Sequence, residues 1–412
     1  MDFIKPVLSF GKLRLSYGSS GNDVGLSDFD YVTTVPLGTT GFGTTPANQV
    51  SSSYGGLISY DRTWEKVEQK NFGIDLNFLD NRLKASFDYF IKDNKGMLVN
   101  VTYPGVLGGK APKTNSGHLN VKGWEFTLGW RDQIKDFTYY ASFNIGDTKS
   151  MLKDMEGADS YGAGWNHNVN GYPLNSYFLY RTDGFFKDQA EVDRYYALYE
   201  DGKEDLGAVG KSSSDRLRPG DTKRLDLNGD YKISSAGNEN SDLQYMGDSD
   251  PHFVFGFNLG GSWKGIDITA MFQGVGKQYV VRNDWMAYPF QSRTANQNPT
   301  FLGKTWTESN QGAEFPRLTT RANLSKWNYL NNDFMLQNNR YMRLKTLVVG
   351  YTLPQVWTRK VKLEKVRVYF SGNDLWEVSS IRDGFDPEMG AASNNSGYPF
   401  ARTWSFGLNV TL

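Results

Sequence analysis

The stretch "RTWSFGLNVTL", residues 402–412, decides how the rest of the chain is read. Trp404, Phe406, Leu408, Val410 and Leu412 fall on one side of an extended strand, and Ser405, Gly407, Asn409 and Thr411 fall on the other. Side chains in a strand alternate between faces with a period of two, so one face meets an apolar medium and the other a polar one. The same period recurs upstream. Leu13, Leu15 and Tyr17 share a face, as do Phe72, Ile74, Leu76 and Phe78, and then Leu83, Ala85, Phe87, Tyr89 and Ile91. Trp124 to Trp130, Phe137 to Ile145, Phe253 to Trp263, Ile266 to Phe272, Leu347 to Tyr351 and Val366 to Phe370 repeat the pattern. With the terminal segment this predicts about ten strands.

The connections alternate too. Short links are expected at 79–82, 131–136, 264–265 and 354–364, and long polar loops at 19–62, 93–117, 147–251, 274–340 and 372–402. Loops of that length argue against a compact domain. Short turns at one end and long loops at the other are the habit of an outer-membrane barrel. The segment "GYPLNSYFLYRTDGFF", 171–186, also looks extended. Strand parity requires that it either belongs to a loop or has an unseen partner strand before Pro251.

Composition narrows the function classes. Lys plus Arg equals Asp plus Glu, 45 each, so bulk charge recruits neither nucleic acid nor an anionic surface. There is no cysteine, which removes disulfides, thiolate nucleophiles and cysteine zinc sites. No run approaches the ~20 apolar residues of a membrane helix, and "MDFIKPVLSFGK" does not read as a signal peptide. His118, His167 and His252 lack a local zinc spacing. No GxSxG, P-loop or nucleophile–base pair is evident, and the many carboxylates read as solvated, so no enzyme is expected.

Alternation alone also suits a soluble β-sandwich or propeller. Three features favour a barrel in lipid: polar alternate faces suited to a wet lumen, apolar faces four or five side chains deep, and aromatics near strand ends at Trp124, Trp130, Trp263 and Trp404. On this reading Trp404, Phe406, Leu408, Val410 and Leu412 face lipid.

Several blocks resemble the SusC/RagA-type TonB-dependent outer-membrane transporters of Bacteroidetes, in that family's order. They are "LRLSYGSSGN" (13–22), "WEKVEQKNFGIDLNFLDNRLKASFDYFIKDNKGML" (64–98), "GYPLNSYFLYRTDGFF" (171–186), "RPGDTKRLDLNGDYKI" (218–233), "YMRLKTLVVGYTLP" (341–354), "GNDLW" (372–376), "GFDPEMG" (384–390) and the terminal strand. The resemblance implies an all-β, antiparallel transmembrane β-barrel with long extracellular loops. Residues 1–412 would supply about 10–12 strands of a family barrel of about 22, without the plug, TonB box and signal peptide. It further implies import of glycan or peptide oligomers with a SusD-like surface lipoprotein, energised through TonB. Partners would also include outer-membrane lipid and the barrel-assembly machinery, for which the usual aromatic end is here Leu412. A secreted β-rich glycan-binding protein and a small passive porin are the alternatives.

Two sets of candidate site residues follow. Tyr161, Trp165, Trp285, Tyr288 and Trp306, in long loops, either stack on sugar rings or serve loop packing and partner contact. "DLNGDYKISSAG" places Asp226, Asn228 and Asp230 at positions 1, 3 and 5 of a calcium loop. Position 6 is Tyr231 rather than glycine and position 12 is Gly237, where related transporters often carry a fuller DxNGDG pattern. Bound Ca2+ and an Asx-stabilised turn are therefore both open.

Overall fold

The computed structural model describes residues 7–26, 32, 35–42, 47–52, 57–59, 61–101, 104, 106, 111–157, 160–199, 206, 208–211, 213–235, 241–282, 287–291, 298–389 and 401–412. Ten strands form one antiparallel sheet: β1 (Leu8–Asn22), β2 (Glu65–Phe78), β3 (Leu83–Asn100), β4 (Lys113–Ile134), β5 (Phe137–Asp154), β6 (His252–Trp263), β7 (Ile266–Lys277), β8 (Tyr341–Thr352), β9 (Lys365–Ser379) and β10 (Thr403–Thr411). Each pairs with its neighbour in chain order, as in an up-and-down meander. Among the described residues β1 and β10 pair on one side only, so the sheet does not close on itself. A complete ten-stranded porin therefore does not describe this arrangement, since a sheet in lipid must leave no open edge.

Each expected strand is present. The short links also fall where expected, all at one end. Leu79, Asp80 and Asn81 take φ of 52°, 55° and 65° between β2 and β3, and Lys264 and Gly265 take 46° and 91° between β6 and β7. Left-handed residues at both central positions give the turn whose twist matches the flanking strands. One boundary is corrected: β4 runs to Ile134, so only 135–136 link it to β5.

The long loops are shorter than the alternation implied, because pairing continues beyond the apolar run. Asp93 to Asn100 pair with Asn120 to Lys113, and β5 continues to Asp154. Ladder hydrogen bonds need no alternating faces, so a strand end that lacks the period-two signal keeps its pairing. The 22 residues of β4 reach about 70 Å when extended, over twice the ~30 Å of a hydrocarbon core. The awkward segment belongs to a loop. Ser176–Tyr180 lies between Gly164–His167 and Leu243–Asp248 in a separate three-stranded sheet, and Thr182–Phe185 pairs with Thr222–Arg224.

The register joins the apolar faces into continuous rows. Phe137, Trp263, Ile266, Tyr351, Val368 and Leu408 form one, lying across β5 to β10 next to the short links. Tyr139, Gly261, Ile268, Val349, Phe370 and Phe406 form the next. These rows stay open: Phe406 is 85 % exposed and Leu408 60 %. The buried hydrophobic core lies elsewhere, mostly between Leu152 and Tyr341 in the loops.

Candidate functional site: the polar face and the loop assembly

The polar face carries ion pairs that reach across three strands. Arg14 of β1 stands opposite Gly73 of β2, which stands opposite Asp88 of β3. Its guanidinium donates to Asp75 at 2.9 and 3.0 Å and to Asp88 at 2.9 and 2.8 Å. A Cβ on Gly73 would lie 2.6 Å from Asp88 Oδ1 and 2.7 Å from Arg14 Cζ, so only glycine leaves the path open. The device recurs on the other side of the sheet. Arg367 of β9 reaches over Gly350 of β8 to Asp267 of β7, with Nε donating at 2.9 Å. Three tyrosine or phenylalanine rings of the same face, Phe90, Tyr140 and Tyr369, lie over the directly opposed Gly123, Gly260 and Gly407. Ring-over-glycine pairs restore the contact that a missing side chain forfeits.

At the loop end of this face a mixed cluster forms. Arg343 pairs with Glu377, with Asp386 at 2.6 Å and with Glu388 at 3.1 Å, while Lys345 pairs with Asp374 at 2.8 Å and Glu388 at 3.1 Å. Asp386 and Glu388 belong to the "GFDPEMG" block, which thus folds back onto β8. Asp383, just before this block, holds Arg282 at 2.8 Å and Gln337 at 2.8 Å. His252, at the start of β6, sits between Asp147 of β5 (2.6 Å) and Asp248 of the loop sheet (3.1 Å) and ties wall to loops.

The loops fold as a water-type core. Phe178, Phe186, Val192, Tyr196, Leu217, Leu243, Leu324 and Trp327 pack together under helix α1 (Gln189–Leu198) and helix α2 (Ala322–Tyr329). Asp188 caps α1 by accepting from Glu191 N–H at 2.8 Å, and Glu191 accepts in turn from Lys187 N–H at 2.7 Å. Asp221, fully buried, is held by Arg317 at 2.7 Å, Asn328 at 2.7 Å and Arg218 N–H at 2.8 Å. Burial pushes its carboxyl upward while the Arg317 charge pulls against it.

The loop aromatics are brought into this packing. Tyr288 is 4 % exposed and stacks on Tyr329 with ring centroids 5.8 Å apart. Trp306, 6 % exposed, lies against Gly220. The sugar-stacking expectation is corrected at these two positions, because neither ring has a face open to a ligand. Tyr161 packs on Phe178 at 4.8 Å and donates to Leu243 O at 3.2 Å, and Trp165 donates to Ser249 Oγ at 2.9 Å. Both are partly buried, which favours the packing alternative. Trp285 lies outside the described residues.

At the degenerate calcium loop the side chains cap backbone. Asp226 accepts from Gly229 N–H (2.7 Å) and Tyr231 N–H (2.8 Å), Asn228 from Asp230 N–H (2.9 Å), and Asp230 from Lys232 N–H (2.9 Å). These are Asx-type turns. Tyr231 takes φ 60° at the position where a calcium loop carries glycine. Among the described residues no group of three or more acidic, His or Cys side chains is arranged to hold a metal. On the terminal strand Trp404, Phe406, Leu408, Val410 and Leu412 are all exposed, in keeping with a face that meets something other than protein.

Sequence reading missed the strand-crossing arginines. A lone Arg14 or Arg367 among polar alternates carries no signal until the register sets a glycine between it and its carboxylate.

No family model matches the chain. Curated relatives do. It is 27 % identical to TonB-dependent receptor P3 of Formosa agariphila over 97 % of its own length and 39 % of the relative's. It is 25 % identical to TonB-dependent receptor SusC of Bacteroides thetaiotaomicron over 99 % of its length and 38 % of that protein's. The solved structure of the RagAB peptide transporter matches with TM-score 0.70 and 24 % identity, covering 98 % of this chain and 41 % of that one. The chain thus spans about two fifths of the length of the curated relatives it matches, and the ten-stranded sheet is part of a RagA-type barrel wall.

Proposed function

We propose, from the resemblance to SusC/RagA-type TonB-dependent receptors that runs along the whole chain, that it builds part of an outer-membrane importer. The apolar rows ending in Phe406 and Leu408 face lipid, and the Arg14, Arg343 and Arg367 face lines the lumen. The cargo is a glycan or peptide oligomer, delivered by a SusD-like surface lipoprotein docking over the loop assembly. Energy coupling through TonB is the work of the rest of such a receptor. The carrying observation is the inverted burial: large apolar side chains stand exposed along the strands, while most buried apolar side chains among the described residues lie in the loops.

The absence of cysteine makes each introduced thiol unique within this chain. Leu408→Cys and Asn409→Cys, in the receptor expressed in outer membranes, separate the two faces. A bilayer-partitioning maleimide is expected to label only Leu408→Cys, and a water-soluble one only Asn409→Cys. Equal labelling of both by the water-soluble reagent in intact membranes would remove the reading.

A further inference from the structure

Arg224 is a buried cation of the loop assembly with no counter-charge among the described residues. Its side chain ends strand Thr222–Arg224 and is 7 % exposed. The guanidinium lies between two rings, 3.9 Å from the Tyr180 centroid and 4.5 Å from that of Trp327. Nε donates to Asn332 Oδ1 at 2.9 Å, and Nη2 to the carbonyls of Trp327 at 3.0 Å and Leu330 at 2.9 Å. These are the carbonyls at the C-terminus of α2, whose partial negative charge a cation suits. Every one of those partners is neutral. Among the described residues Arg224 forms no ion pair, and its Nη1 makes no hydrogen bond. Burial pushes its pKa down to about 10, which still leaves it a cation at neutral pH.

Isolating a charge from water without a counter-charge is expensive, and removing or pairing it is the usual outcome. Here a cavity of about 320 Å³ opens on the same guanidinium. Leu206, Val209 and Ile233 give it apolar walls, and Lys326, exposed on α2 and likewise without an ion pair among the described residues, adds a second positive charge. That volume is at the lower end for a small-molecule site.

We propose that this cavity binds an organic carboxylate, with the carboxylate between Arg224 Nη1 and Lys326 Nζ and the apolar body against Leu206, Val209 and Ile233. One open guanidinium nitrogen and one ammonium match the two oxygens of a carboxylate. A tetrahedral sulfate would leave further oxygens against apolar walls, where unpaired acceptors are costly. The site needs only the loop assembly to be folded, so it stands whether or not the chain takes part in uptake.

The test is calorimetric titration of the purified protein in detergent, at low salt, with isocaproate and with its neutral analogue isocaproamide. Saturable binding of the acid and none of the amide is expected. Lys326→Gln should weaken the acid roughly threefold to tenfold and Arg224→Gln should abolish it, as loss of charge-assisted hydrogen bonds implies. Arg224 also caps α2, so if Arg224→Gln does not fold, Lys326→Gln, exposed on the helix surface, carries the comparison. The site is refuted by equal binding of acid and amide, by tighter binding of inorganic sulfate than of isocaproate, or by unchanged affinity in Lys326→Gln. No isocaproate binding up to about 10 mM, weaker than any useful site, refutes it as well.

Discussion

The wall and the loop assembly solve opposite solvent problems in one chain. Along the strands, Leu13, Leu15, Ile268, Phe406 and Leu408 point outward and stay open, each 47 % exposed or more, while the other face carries Arg14, Asp75, Asp88, Asp267 and Arg367. In the loops the order is the ordinary one for apolar side chains: Tyr177, Phe178, Leu179 and Phe186 are all at most 1 % exposed, and buried Asp221 is paired with Arg317, while Arg224 is buried without an ion pair among the described residues. Burial out of water drives the second region. It cannot drive the first, whose apolar side gains nothing unless lipid covers it. What holds the wall together is its ladder of backbone hydrogen bonds, which would be obligatory in lipid.

If that contrast is right, the same kind of truncation has different consequences in the two regions. Phe178→Ala should open a void under Tyr161, Tyr172 and Tyr245, whose rings lie 4.8 to 6.0 Å from it, and destabilise the loop assembly by about 3–5 kcal/mol. Limited proteolysis of loops 155–251 and 278–340 should accelerate while the wall stays resistant. A wall that unfolds together with the loops would mean that the two are not separable.

The next effect in size tests the wall. Phe406→Arg or Leu408→Arg should cost about 2–4 kcal/mol near mid-membrane, whereas Asn409→Lys, on the polar face of the same strand, should cost about 0–1 kcal/mol. Denaturant-dependent folding into lipid vesicles measures both. Equal losses on the two faces would indicate a wall surrounded by water and sink the contrast.

How much was legible in the sequence follows the same division. All ten strands of the wall were readable, because one apolar and one polar face stamp a period of two, as from Trp404 to Leu412. Their loop-side ends were not: Asp93 to Asn100 pair with β4 around an irregularity at Gly96, yet Met97, Leu98 and Val99 run together with no period of two to read. Inside the loops the residues looked like a polar tract. The core there is assembled from Phe178, Leu217, Leu243 and Leu324, far apart in the chain, and no local pattern announces it. The loop aromatics Tyr288 and Trp306 were visible as aromatics, but whether their faces were open or packed is a tertiary fact. Arg224 gave no sequence signal at all, since an uncompensated charge can be recognised only once every neighbour is known.

The smallest predicted effect lies in an exposed turn of the loop assembly. Tyr231 is 60 % exposed and takes φ 60°, in the left-handed region that costs a residue with a Cβ about 1 kcal/mol. Its N–H is already held by Asp226 at 2.8 Å, so the turn is imposed by the aspartate and not by the tyrosine ring. Tyr231→Gly should therefore stabilise the loop assembly by about 0.5–1 kcal/mol, read as a rise in its melting temperature. With Asp226, Asn228 and Asp230 all engaged on backbone N–H groups, added calcium should leave the wild-type melting temperature unchanged. A calcium-dependent rise in the wild type would restore the ion to this loop. A rise only in Tyr231→Gly would show that glycine at this position is what separates a capped turn from a metal site.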